Sequence, residues 1–218
     1  EANAQQGWLD SNLARIGGLL QGQRDLGEVC SMIMDEVAPL VDAQVGAFFL
    51  ADMPEADPTA PGSGQAQRLV MCAGYAVVPE SADGEPPAFR LGEGLVGQVA
   101  ADGRRVLVDD VPPGYLPIRS GVGATPPRAV VVLPVPFEGR TLGVIEFGAV
   151  TRFSELHLTF LERLVVTIGV AIRTIQANRR TEELLAQSQD LDGELQTRSA
   201  ELQRTNAELE EKAAQLSE

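Results

Sequence analysis

The chain has a single histidine, His157, and only two cysteines, Cys30 and Cys72, in 218 residues. One histidine nearly excludes a histidine-based metal site or a catalytic triad. The cysteines stand in apolar surroundings with no neighbour at metal spacing, so they read as reduced core residues of a cytosolic protein. Basic residues are also few: 17 Lys and Arg against 31 Asp and Glu leave a net charge of −14. A surface of that sign repels phosphate backbones, which excludes nucleic acid as a partner. No apolar run reaches the roughly 18 residues of a membrane span. No signal-peptide pattern is present, and the chain opens at Glu1 without Met, which reads as a piece of a longer protein. What the chain does have is a hydrophobic content of 44%, enough for one core plus extensions.

Two helical segments come first. Trp8, Leu9, Leu13, Ile16, Leu19 and Leu20 recur at steps of mostly three and four, the spacing of one apolar stripe. Asp25 with Glu28 three residues on is a variant capping box, and Leu26, Val29, Cys30, Ile33, Met34, Val37 and Leu40 form the stripe of the second helix. From Val45 the period changes. "VGAFFLAD", "RLVMCAGYA", "AFRL" and "RVLVDDV" read as strands, separated by loops rich in Pro and Gly. "PPGYLPIRSGVGATPP" reads as one long connection. "RAVVVLPVPF" and "TLGVIEFGA", joined by Glu138-Gly139-Arg140, read as an antiparallel hairpin.

The stretch "LGEGLVGQVA" fits G-x-G-x-x-G at Gly92, Gly94 and Gly97. A dinucleotide fingerprint needs an apolar parallel strand before the first glycine and a long crossover helix after it. Upstream stands "EPPAFR", the helix that follows ends at Gly103, and the rest of the sheet reads as antiparallel. The glycines are therefore expected to act locally: Gly92 and Gly94 turn a strand into a helix, and Gly97 lets that helix lie close to a neighbour.

From Ser154 helix signals do not stop, and no proline follows Pro136. About 65 residues at about 1.5 Å each would give a helix of nearly 100 Å. Its first half is strongly apolar and must pack on the sheet. In its tail Leu184 and Leu191 are seven apart, and so are Leu195, Leu202, Leu209 and Leu216 in succession. The four-residue step between the two sets reads as a stutter. With the second set at d, Ser199, Asn206 and Ala213 fall at a, where they make a parallel two-stranded coiled coil of modest stability with a defined register.

These residues together resemble the GAF domain family. The resemblance covers about Asp25 to Ala177 and rests on the glycine hinge, the Leu-Pro-Val of the fifth strand and the Leu-Gly-Val of the sixth. More narrowly, "WLDSNLARI", "LLQGQRDL", "APLVDAQVGAFFL", "PPRAVVVLPV" and "RRTEELLAQSQ" are similar to the segment that follows a HAMP module in bacterial hybrid sensor histidine kinases and feeds a long helix into the kinase. The resemblance implies an α+β fold: about six antiparallel strands, N- and C-terminal helices packed on one face, and an extended coiled-coil helix. The implied division is a linker helix over 1–24, the domain over 25–177 and a signalling helix over 178–218. The implied role is a cytoplasmic, non-catalytic sensory module that dimerises through its terminal helices. Its partners would be a second copy and the downstream kinase domain. The alternatives are a ligandless dimerisation spacer, or the input module of a phosphatase or cyclase.

No cofactor is expected. The Asn-Lys pair of cyclic-nucleotide-binding members is absent, since the only lysine is Lys212 in the tail. Neither cysteine has the adjacent histidine of bilin-binding members. Methionine-sulfoxide-reducing members need cysteines near the pocket, and Cys30 and Cys72 are expected on opposite sides of the sheet. His157 reads as a surface or capping residue. The family's cavity, between the sheet and the segment after the hinge, maps to Phe49, Met71, Leu95, Val96, Val99, Tyr115, Ile118, Arg128, Val131, Leu133 and Glu146. The Tyr115 hydroxyl and the Arg119 and Arg128 guanidiniums in a greasy lining would suit a small apolar or weakly acidic ligand.

Overall fold

The structure is a computed structural model and describes residues 2–52, 68–77, 85–112, 117–121 and 123–216. The chain divides into two units, Glu1–Ile175 and Gln176–Glu218. The first unit opens with α1 (Ala2–Leu20) and α2 (Leu26–Leu40). Asp25 starts α2 as read from the sequence: its Oδ1 accepts the Glu28 amide at 2.9 Å, satisfying one of the first-turn donors. Strands β1 (Val45–Asp52), β2 (Arg68–Tyr75) and β3 (Ala88–Arg90) follow, then the short helix α3 (Gly94–Asp102) and β4 (Val106–Asp109). Within the expected long connection lies a small separate hairpin, β5 (Ile118–Ser120) with β6 (Gly123–Thr125). Strands β7 (Ala129–Phe137) and β8 (Arg140–Ala149) complete the sheet, and α4 (Glu155–Leu216) closes the chain.

The six strands run in the order β3-β2-β1-β8-β7-β4, and every neighbouring pair is antiparallel. The turn between β7 and β8 is tighter than the sequence reading, because Arg140 already pairs with Phe137. That leaves a two-residue turn, Glu138-Gly139, with φ of +47° and +75°. Two positive φ values match the right-handed twist of a hairpin, and glycine carries the second at no steric cost.

The sheet has an apolar layer on each face. The larger one holds Phe48, Val131, Leu133, Val135, Ile145 and Phe147 against Val29, Ile33, Met34 and Val37 of α2 and Phe160, Leu164, Ile168 and Ile172 of α4. Trp8 of α1 joins it, with its ring edge-on to Phe160 at 5.3 Å. The smaller layer holds Ala47, Phe49, Leu69, Val130, Val132 and Val144 against Val96, Val99 and Ala100 of α3. Among the described residues no helix is long and apolar enough to cross a membrane.

Candidate functional site

Side chains alternate along a strand, so pairing assigns each candidate to a face. Glu146 on β8 stands opposite Ala47 of β1 and Val132 of β7, both of which belong to the α3 layer. Phe49 pairs with Val144 on one side and Met71 on the other, and its ring meets Phe89 edge-on at 5.4 Å. Phe49, Met71, Leu95, Val96, Val99 and Glu146 are therefore gathered on one face, under α3. Val131 and Leu133 are not. They pair with Phe147 and Ile145 and point into the layer beneath α2 and α4. Val130 and Val132 stand where those two were expected.

The expected anion contacts also move. Arg128 lies at the surface, where its Nε is 3.6 Å from Asp110 Oδ1. Arg152 holds the other oxygen of that carboxylate at 2.5 Å. Ile118 sits on the β5–β6 hairpin, half-buried, and is not part of the α3 layer. Tyr115 lies outside the described residues.

Glu146 is the ionisable group of this face. It keeps some contact with solvent, yet burial pushes its carboxyl up to about 7. Among the described residues nothing donates a hydrogen bond to it and no cation faces it. On its β1 side the floor is nearly bare of side chains: Ala47 is directly opposite, and Gly74 pairs with Ala47 one strand further out. The notch at Gly74 is filled from the side. A Cβ there would come within 2.5 Å of Met71 Cε, so the end of the thioether occupies the space a side chain would take.

The glycine hinge roofs the site. Gly92 and Gly94 have φ of +80° and +61°, the left-handed region that glycine enters freely. Gly97 is there for proximity, since a Cβ on it would lie 2.1 Å from the Arg90 carbonyl oxygen. The amides a pyrophosphate would need are used internally. Gly92 N–H donates to Gly97 O at 2.8 Å and Glu93 N–H to Arg90 O at 3.0 Å. The Glu93 carboxylate takes the Arg90 amide at 2.8 Å, which sets a negative charge at the start of α3.

The remaining sequence candidates lie elsewhere. Cys30 and Cys72 are not on opposite sides of the sheet. Both contribute to the layer under the helices, Cys30 from α2 and Cys72 from β2. A bulge between Phe48 and Phe49 shifts the register of β2, and the Cys72 thiol donates to Phe48 O at 3.2 Å. The neighbouring Cys72 sulfur and then burial push the Cys30 thiol far up, so it stays protonated. His157 follows the cap of α4: its amide is held by Ser154 Oγ at 3.1 Å. Its ring is half-buried against Trp8 at 6.2 Å, and Nδ1 has no partner. Burial draws the imidazole below its usual range, and the Asp42 carboxylate opposes that in part.

Sequence reasoning missed Val130, Val132, Val144, Leu69 and Phe89. A buried acid inside an otherwise apolar strand was the available signal. Everything at the parity of Glu146 on β8, and its partners across the ladder, had to share its face.

The family model described as GAF domain matches residues 23–173. The chain is similar in structure to the GAF domain of an Acinetobacter phosphoenolpyruvate-protein phosphotransferase, at 20% identity and a TM-score of 0.57 over 77% of this chain and 93% of that one. The corresponding domain from Coxiella burnetii gives 16% identity and a TM-score of 0.59 over 79% and 96%. A free methionine-R-sulfoxide reductase from Neisseria meningitidis, in complex with its substrate, gives 17% and 0.57 over 78% and 91%. No curated protein matches.

Proposed function

The chain belongs to the GAF domain family, and from that premise we propose that it is a non-catalytic sensory module that dimerises and passes a conformational signal along its last helix to an output domain, the histidine kinase of a two-component sensor. One observation carries the reading. The helix that buries Phe160, Leu164, Ile168 and Ile172 in the core is the same element that displays Leu184, Leu191, Leu195, Leu202 and Leu209, all half-exposed or more. Leucines exposed at heptad spacing, with one four-residue step, make a stripe that a second copy of the helix would cover.

Within the first unit α4 has exposed apolar residues of its own: Val170 is 52% exposed. Val166, one turn earlier, is equally exposed. The non-catalytic part is supported by placement, because Cys30, Cys72 and His157 all lie on the helix side, away from the α3 layer. The histidine kinase context rests on the sequence resemblance together with this exit helix. The Glu146 carboxyl, which has no donor among the described residues and stands in an apolar layer, favours a layer that takes a ligand over a ligandless spacer. Sedimentation equilibrium on the chain tests the reading. We expect a dimer, and a monomer persisting at hundreds of micromolar overturns it.

A further inference from the structure

We propose that the layer under α3 takes a small aliphatic amine, whose protonated amino group donates to the Glu146 carboxylate while its apolar body lies against Val132, Val144 and Phe49. The proposal rests on the sensory reading above and names the ligand class for it. A carboxyl set in an apolar layer without a donor is a cost to the fold, and a cationic donor is what offsets it. An acidic ligand would add a second negative charge beside the first. The guanidinium that might have received it, on Arg128, is engaged with Asp110 at the surface. A metal ion is a poor alternative, because among the described residues no group of three His, Cys, Asp or Glu comes together.

Room for the ligand comes from the floor. Ala47 and Gly74 leave the space beside Glu146 to the end of the Met71 side chain. Methionine is unbranched with three rotatable bonds, so it can vacate the notch without backbone movement. No other titratable group faces the carboxyl. On the elements packed around it, β1 and β7 present Ala47 and Val132. Asp102 of α3 is exposed and bonded by Gln98 at 2.7 Å, and Asp109 of β4 is exposed. The pH dependence of binding therefore belongs to Glu146, since amine nitrogens stay protonated well above neutrality.

The experiment titrates the chain with isopentylamine, isopentanol and isovalerate, three probes with the same carbon skeleton. Binding is read from the methyl signals of Met71, Val132 and Val144 in proton–carbon spectra. We expect saturable shifts with the amine at pH 8, about tenfold weaker binding at pH 6 as Glu146 takes up its proton, and weaker binding again in Glu146→Gln. Glu146→Asp, which keeps the charge on a shorter stem, should retain part of the affinity and serves if the Gln variant does not fold. Equal binding of the alcohol, tighter binding of the acid, undiminished amine binding in Glu146→Gln, or no saturable shift with any probe each overturns the proposal. The failures separate. Saturable shifts with the alcohol or acid leave the ligand layer standing and remove only the amine. The dimer reading is decided by sedimentation of the same samples, whatever the titration shows.

Discussion

Glu146 leaves a signature in stability that needs no ligand. Its carboxyl is raised from 4.5 to about 7 in the fold. The folded chain therefore holds that proton more tightly than the unfolded chain does. Its contribution is most favourable below the unfolded value, is lost as pH climbs from about 4.5 through about 7, and is level above. At about 1.4 kcal/mol per unit, the part of this loss that falls between pH 5 and pH 8 is on the order of 2–3 kcal/mol. Urea melts at pH 5 and pH 8 should show wild type losing stability over that interval and Glu146→Gln losing less by about that amount. Parallel pH slopes in the two proteins would remove the buried acid from the account. The hinge glycines divide in the same way, by what each would meet. Gly92→Ala meets open space and pays only for φ of +80°, roughly 1 kcal/mol. Gly97→Ala drives a methyl into the Arg90 carbonyl and should cost more, about 1–3 kcal/mol. Thermal melts of the two variants check the order, and a Gly97→Ala melt at or above that of Gly92→Ala contradicts it.

Among the elements, α4 comes close to the sheet at Gly169, where an added Cβ would lie 2.1 Å from the Pro136 carbonyl oxygen. Two effects compete in Gly169→Ala. Helix propensity favours alanine by about 1 kcal/mol. The clash is with backbone, which cannot swing away, and should outweigh that by about 1–2 kcal/mol net. Gly193→Ala isolates the first effect, since nothing lies within 4 Å of its added methyl. Melting curves should show Gly169→Ala lowered by several degrees, while the helical signal of the tail rises in Gly193→Ala. If Gly169→Ala also gains stability, the helix does not sit against β7 as described. The elements differ in how openly the sequence announces them. The α2 cap, the hinge and the β7–β8 hairpin were legible because Asp25, Gly92 and Gly139 each have a local job. The face of Val131 and Leu133 was not legible. Strand β7 is buried on both sides from Ala129 to Val135, which erases the alternation that would reveal parity. Cys72 was placed on the wrong side for a related reason, because a bulge at Phe48/Phe49 shifts parity and nothing in the sequence marks it. The β5–β6 hairpin has strands of three residues, mostly exposed, too short to carry a period.

At the scale of the whole molecule, the proposed dimer seam joins strong leucines to weak neighbours. Leu195 and Leu202 are 67% and 65% exposed in the single chain, so pairing two copies would bury much apolar surface. Yet the a positions that follow them are Ser199 and Asn206, both exposed and both poor at filling the hole facing a leucine knob. A seam made only for strength would carry Ile there. In the proposed dimer, polar groups at a would fix register while leaving two arrangements of the paired helices close in energy, which is what the proposed relay needs. Ser199→Ile with Asn206→Ile should therefore tighten the dimer at least about tenfold, equivalent to about 1.4 kcal/mol. In the full-length protein the same change should hold the output of the proposed sensor at one level regardless of signal. Sedimentation equilibrium gives the first quantity directly. An unchanged dissociation constant would mean that Ser199 and Asn206 do not face the partner, and the leucines would then have to pair in a register other than the one that places them at d.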